Sequence, residues 1–120
     1  MAASSKKQAP ARKPAAPPNF FLRAKAEFPD VLNAYEALAR ATERAGPLNK
    51  REQRLVKLGL VFGARMEGGA HSAVRKALEA GLTREEIIQA ALLAMPTIGF
   101  ANAMACLSWV KDVVDLKQKP

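Results

Sequence analysis

Glu52 and His71 are the residues of this sequence whose chemistry most suggests proton transfer. Carboxylate and imidazole groups are common general acids and bases in enzymes, and His71 is the single histidine of the chain. A continuous α-helix would hold the two residues about 28 Å apart. They can act together within one subunit only if the chain turns back in the glycine-rich stretch between them, residues 63–69.

Helices are the elements that the sequence predicts for positioning these groups. Apolar residues recur at spacings of three and four, whereas no segment alternates apolar and polar residues as a strand does. The pattern predicts a helix that begins after Asn49 and further helices over about residues 29–44, 70–80, 84–95 and 100–116.

Local signals mark several of the helix ends. Thr83 and Glu86 have the spacing of a capping box, and so do Asn49 and Glu52. Gly81 is well placed to end a helix in the left-handed conformation. Glu52 therefore has a structural role open to it, as a capping side chain, besides a chemical one.

Two positions of the chain reversal lead to different candidate sites. A reversal near Gly63 would make the flanking helices antiparallel and let Glu52 meet His71. A reversal at Gly68 and Gly69 would place Glu67 beside His71 and leave Glu52 as a cap. We favour Glu67 as the neighbour of His71, with Glu52 joining them only in the first case.

Length and charge define the expected domain organisation. A chain of 120 residues suffices for one domain with a modest core, so a sizeable pocket would borrow a wall from a second subunit. The net charge is +8, and residues 1–19 supply four basic residues, four prolines and no acid. We expect residues 1–19 to be a flexible basic tail, with at most weak nucleic-acid contacts, and residues 20–120 to be the helical domain.

Cysteine content and hydropathy indicate the environment of the protein. Cys106 is the single cysteine, so the sequence offers neither an intramolecular disulfide nor a cysteine zinc cluster, and we expect a cytoplasmic location. No metal site is expected. Residues 90–110 carry no charged side chain, but Pro96 and Gly99 divide them, and we predict two buried helices there rather than a membrane span.

A family resemblance emerges from the segment that runs from Leu48 through Val114. It contains Leu-Asn-Lys-Arg-Glu at residues 48–52, His-Ser-Ala-Val-Arg-Lys-Ala-Leu-Glu-Ala-Gly at residues 71–81, and Thr-Ile-Gly-Phe-Ala-Asn-Ala-Met-Ala at residues 97–105. This order of residues resembles the carboxymuconolactone decarboxylase family, which includes the AhpD-like alkylhydroperoxidases. The resemblance implies an all-α, orthogonal helical bundle of about five to six helices that forms a homo-oligomer, a trimer or a hexamer.

The resemblance also implies two alternative chemistries. AhpD-like enzymes reduce peroxides with a Cys-x-x-Cys-x-x-x-His motif and a glutamate twelve residues before its first cysteine. Glu52 and His71 match the glutamate and the histidine, but Ala64 and Glu67 replace the cysteines. Because this route needs a thiolate, the resemblance to the decarboxylase branch, which lacks the paired cysteines, is the better guide.

The decarboxylase branch implies acid/base chemistry without a cofactor. Loss of CO₂ from a carboxymuconolactone leaves an enolate that must be reprotonated. We expect Glu67 or Glu52, together with His71, to handle the proton, and Arg65 or Arg75 to bind the carboxylates of a small substrate. The alternatives are a peroxidase of the AhpD-like type and a noncatalytic oligomeric binding protein on the same scaffold.

Overall fold

The computed structural model describes residues 19–116, and the regular structure in this range is helical, without a β-strand. The helices are α1 (Asn19–Glu27), α2 (Pro29–Glu43), α3 (Lys50–Gly63), α4 (Glu67–Glu79), α5 (Arg84–Leu93), α6 (Met95–Ile98) and α7 (Phe100–Val114). The predicted all-α class is confirmed, with α6 a single turn of four residues. Residues 1–18 of the predicted tail lie outside the described residues.

Residues 19–49 form one compact unit, a hairpin of α1 and α2. Lys25 of α1 pairs with Glu36 of α2 at 2.9 Å. Pro29 is the first residue of α2, where a missing N–H costs nothing. The apolar stripe predicted for α2 is present, yet no residue of α2 is buried.

Residues 50–116 form a second compact unit that contains helices α3 to α7. Its core collects apolar side chains that recur three or four residues apart on α3, α4 and α7. Burial of one such Leu or Phe side chain contributes about 1.5–3 kcal/mol. The largest fully buried side chains are those of Leu58, Phe62, Val74, Ile87, Cys106 and Val110.

A Schellman motif ends α3 and turns the chain toward α4. The Met66 N–H donates to the Val61 carbonyl at 3.0 Å, and the Arg65 N–H donates to the Phe62 carbonyl at 3.1 Å. Arg65 has the left-handed φ of 55° that this motif requires. The chain thus reverses just after Gly63, which is the first of the two predicted positions.

Helix α4 begins at Glu67, three residues earlier than the predicted start at Ala70. The prediction was wrong because two glycines looked like loop residues, whereas the Ala70 N–H bonds the Met66 carbonyl at 2.7 Å and makes Gly68 and Gly69 part of the first turn. A Cβ on Gly69 would lie 3.2 Å from the Met66 Cβ. The glycine therefore serves a close approach between the first turn of α4 and the preceding corner.

The corner between α4 and α5 confirms the local signals of the sequence. Gly81 has a φ of 94°, and the capping box of Thr83 and Glu86 is complete. Arg51 of α3 joins this corner, donating to the Gly81 carbonyl at 2.8 Å and to Glu86 at 2.7 Å. Leu82, between the two caps, is buried. The start of α3 is thereby fixed to the end of α4.

The uncharged stretch of residues 90–110 is divided among α5, α6 and α7. Pro96 lies in the single turn α6, and Gly99, with a φ of 98°, precedes α7. None of the helices described here is long and apolar enough to cross a membrane. This agrees with the prediction of separate helices in place of one span.

Candidate active site

A row of three polar side chains runs along α4, and we call it the α4 row: Glu67, His71 and Arg75. Each member lies four residues after the previous one, so neighbouring members lie on adjacent turns of the same helix face. Glu67 is exposed, whereas His71 and Arg75 are partly buried. The row thus brings together three of the five site residues predicted from the sequence.

His71 hydrogen-bonds a carboxylate that comes from another helix. Its Nε2 lies 3.0 Å from Oδ2 of Asp112, which belongs to α7. The residue that the structure places against the imidazole is therefore a carboxylate that was not among the predicted site residues. Helices α4 and α7 pack directly against each other, and this packing keeps the two side chains within hydrogen-bond distance.

The contact with Asp112 determines which nitrogen of His71 is available for chemistry. A carboxylate can only accept, so the neutral imidazole donates from Nε2 and keeps its lone pair on Nδ1. The side chain of His71 is 28% exposed and that of Asp112 is 59% exposed. The pair is therefore accessible to a small molecule, and its arrangement is that of a base held in one tautomer by a carboxylate.

Asp112 is the site residue that sequence reasoning missed. It lies 41 positions from His71, and no local motif connects the two. The available signal was weak: Lys111 and Asp112 are the first charges after the long uncharged stretch. Only the packing of α4 against α7 turns that position into a partner for the imidazole.

Arg75 supplies a partly desolvated positive charge one turn after His71. Burial lowers the pKa of the Arg75 guanidinium, and the nearby charge of Glu79 acts in the opposite direction. A guanidinium stays protonated despite such a shift. Its planar donors suit a substrate carboxylate.

The other two predicted site residues, Arg65 and Glu52, lie outside the α4 row. Arg65 is exposed in the corner between α3 and α4, two residues before Glu67. Glu52 is exposed in the first turn of α3, next to Arg51, which reaches the end of α4. His71, in contrast, lies in the second turn of α4.

Cys106 is not placed as a redox thiol. It is fully buried in the core, and its Sγ donates to the Phe62 carbonyl at 3.7 Å. Burial raises the pKa of this thiol, with the charge of Arg65 opposing the shift. The environment is that of an inert structural cysteine rather than an activated nucleophile.

A cavity of about 610 Å³ lies apart from the α4 row, and we call it the α3–α5 cavity. One wall is a face of α3, and the others come from α5 and the α6 turn. The five site residues predicted from the sequence do not line it. Among the described residues, no group of three or more His, Cys, Asp or Glu side chains is arranged to hold a metal ion.

The helical fold and the histidine-carboxylate pair define a small all-α protein with acid/base groups on two packed helices, α4 and α7. The family model described as the carboxymuconolactone decarboxylase family matches residues 29–112. The match covers more than half of the chain, and the protein therefore belongs to this family. No curated protein and no solved structure shows a significant match to the chain.

Proposed function

We propose that the protein is a cofactor-free acid/base lyase that decarboxylates a small carboxylated substrate. The observation that carries the proposal is the 3.0 Å contact between His71 and Asp112, in a row that also contains Arg75. Membership of the carboxymuconolactone decarboxylase family supports the same reaction class. A small substrate with more than one carboxylate fits best, because one carboxylate is lost and another is held.

The proposed reaction assigns one role to each group. Arg75, or alternatively Arg65 in the corner before α4, binds the carboxylate that is retained. The bond to the departing carboxylate breaks, CO₂ leaves, and the electron pair becomes an enolate. His71 takes up a solvent proton on Nδ1, delivers it to the enolate carbon and returns to the neutral imidazole, while Asp112 holds the ring through Nε2. Glu67 is one turn from the imidazole and is the second candidate proton carrier.

A spectrophotometric or CO₂-release assay on a panel of carboxylated lactones and keto acids tests the proposal. We expect turnover by the wild type and a loss of about 100-fold or more in kcat for His71→Gln. Glu85→Gln, an exposed carboxylate in the first turn of α5, is the matched control and should leave kcat unchanged. Full activity of folded His71→Gln would refute the role of the imidazole.

Two further variants separate the candidate partners of His71. If Asp112 orients the imidazole, Asp112→Asn lowers kcat and Glu67→Gln has the smaller effect. The opposite ranking would assign the proton to Glu67 instead. A folded wild type that neither turns over nor binds any member of the panel would favour the noncatalytic binding protein.

The proposed enzyme acts as a homo-oligomer, a trimer or a hexamer. Support comes from apolar side chains that remain exposed on both units, such as Val31 and Leu38 of α2 and Leu60 of α3. Patches of this kind in small proteins are commonly covered by another subunit. Analytical ultracentrifugation tests this part, and a monomer at micromolar concentration would refute it. A cytoplasmic location goes with the proposal because the single thiol is unpaired.

A further inference from the structure

The α3–α5 cavity has the size of a small-molecule site. Its volume of about 610 Å³ falls within the range of roughly 300–1,000 Å³ typical of ligand pockets. Most of its lining is apolar, from Leu55 and the buried Phe62 on α3 to Leu93 on α5 and Ile98 on α6. Such a lining removes apolar ligand surface from water.

Two glycines keep the α3 wall of the cavity clear. Gly59 and Gly63 are four residues apart and both line the cavity. Neither has a positive φ, and a Cβ on either would meet no packed neighbour within 4 Å. Because glycine is a poor helix former and neither turn geometry nor close packing requires it here, the absence of side chains mainly leaves space.

The polar groups around the cavity favour an uncharged ligand. The single ionisable lining residue is Glu86, and both of its carboxylate oxygens are already engaged, one by the Thr83 N–H and the other by Arg51. Gln89 and Thr97, which are exposed and neutral, are the side chains left to hydrogen-bond a ligand. Among the described lining residues there is no Lys or Arg to attract a carboxylate, in contrast to the α4 row.

We infer that the α3–α5 cavity is a second binding site, for a small, uncharged and mainly apolar molecule that carries a hydrogen-bonding group. The apolar body lies against Gly59, Phe62 and Gly63, and the polar group lies toward Gln89 and Thr97. This site is separate from the carboxylate chemistry proposed for the α4 row. Its described lining comes from residues 55–98.

Titration with the neutral fluorophore N-phenyl-1-naphthylamine tests the inference on the full-length protein. We expect a saturable rise in fluorescence for the wild type. Gly59→Leu fills the cavity and should weaken binding at least about 10-fold, since it occupies space that the ligand needs. Gly68→Leu is the matched control, because Gly68 is also a helical glycine with open space around its Cβ but lies on α4. Its affinity should equal that of the wild type.

Several outcomes would overturn the inference. They are the absence of saturable binding by the wild type, equal affinities for Gly59→Leu and the wild type, and stronger competition by 1-naphthoate than by 1-naphthol. Dissociation of the wild-type assembly by Gly59→Leu, with probe affinity retained, would identify the surface as an interface between copies. Loss of probe binding in His71→Gln would join the cavity to the α4 row and refute a separate site.

Discussion

The thiol of Cys106 should be almost unreactive in the native protein, and this expectation can be tested without a known substrate. The perturbation is addition of 5,5′-dithiobis(2-nitrobenzoate) to the folded protein at pH 7. Cys106 is fully buried between helices, and burial raises its pKa. Both effects reduce reaction, the first by excluding the reagent and the second by reducing the thiolate fraction.

The size of the protection follows from these two effects. An ordinary cysteine with a pKa of about 8.5 is about 3% thiolate at pH 7, and a raised pKa lowers that fraction. The reagent reaches a core sulfur only after an opening of the core, which costs up to the free energy of unfolding, about 5–15 kcal/mol for a typical domain. An opening that costs about 5 kcal/mol already slows labelling by more than about 10³-fold.

The assay compares labelling rates in buffer and in a denaturing concentration of urea, with Cys106→Ala as the blank. We expect rapid labelling in urea and a rate at least about 10³-fold lower in buffer. Consumption of a hydroperoxide with a dithiol reductant should be negligible and unaffected by Cys106→Ser. Native labelling at the unfolded rate would refute the burial argument, and peroxide turnover that is lost in Cys106→Ser would restore the peroxidase alternative.

Three further predictions concern the stability of the folded chain and are measured by urea unfolding. Arg65→Gly should raise the free energy of unfolding by about 0.5–1 kcal/mol, because relief of left-handed strain outweighs the larger chain entropy of glycine. Arg65→Ala keeps the Cβ and should give no gain. Equal effects of the two variants would contradict this explanation. Thr83→Ala should lower the free energy of unfolding by about 0.5–2 kcal/mol through loss of the cap, and an unchanged midpoint would contradict the capping box. Acid should also weaken the fold: the Thr83 N–H lowers the pKa of Glu86 from 4.5, and the hydrogen bond from Arg84 lowers the pKa of Asp115 from 3.8. Because these pKa values are lower in the folded than in the unfolded state, their contribution to the free energy of unfolding is complete above about pH 4.5 and disappears as the pH falls through the lowered values. In a double variant, Glu86→Gln with Asp115→Asn, the free energy of unfolding should fall less steeply with acid than in the wild type. Identical pH profiles of the two proteins would refute the assignment.

Local features of the fold could be predicted from the sequence because their causes lie within a few residues. The capping box of Thr83 and Glu86 and the left-handed Gly81 were predicted correctly, since each depends on neighbouring backbone groups. The start of α4 was misplaced because glycine reads as a loop residue even when, as at Gly69, it permits a close approach. Propensity alone does not distinguish these two uses of glycine.

The partner of the imidazole could not be predicted, because it depends on tertiary packing. Glu52 and Glu67 are the carboxylates that the sequence places near His71, by family position and by helix spacing. Asp112 reaches His71 only through the packing of α7 against α4. The geometry of that helix pair depends on core residues such as Val74 and Val110, whose chemistry has no connection with the site.

The corner that contains Arg65 links the fold to the proposed chemistry. The chain builds the same helix-ending turn twice, with Gly81 in the left-handed position at the end of α4 and Arg65 in that position at the end of α3. An L side chain there costs about 1–2 kcal/mol that glycine avoids. Residues held in such conformations concentrate at functional sites. Arg65 lies two residues before Glu67, the first residue of α4. An arginine kept in a position where glycine would be more stable supports the proposal that it binds substrate. Arg65→Gly should therefore gain stability while losing affinity for a carboxylated substrate.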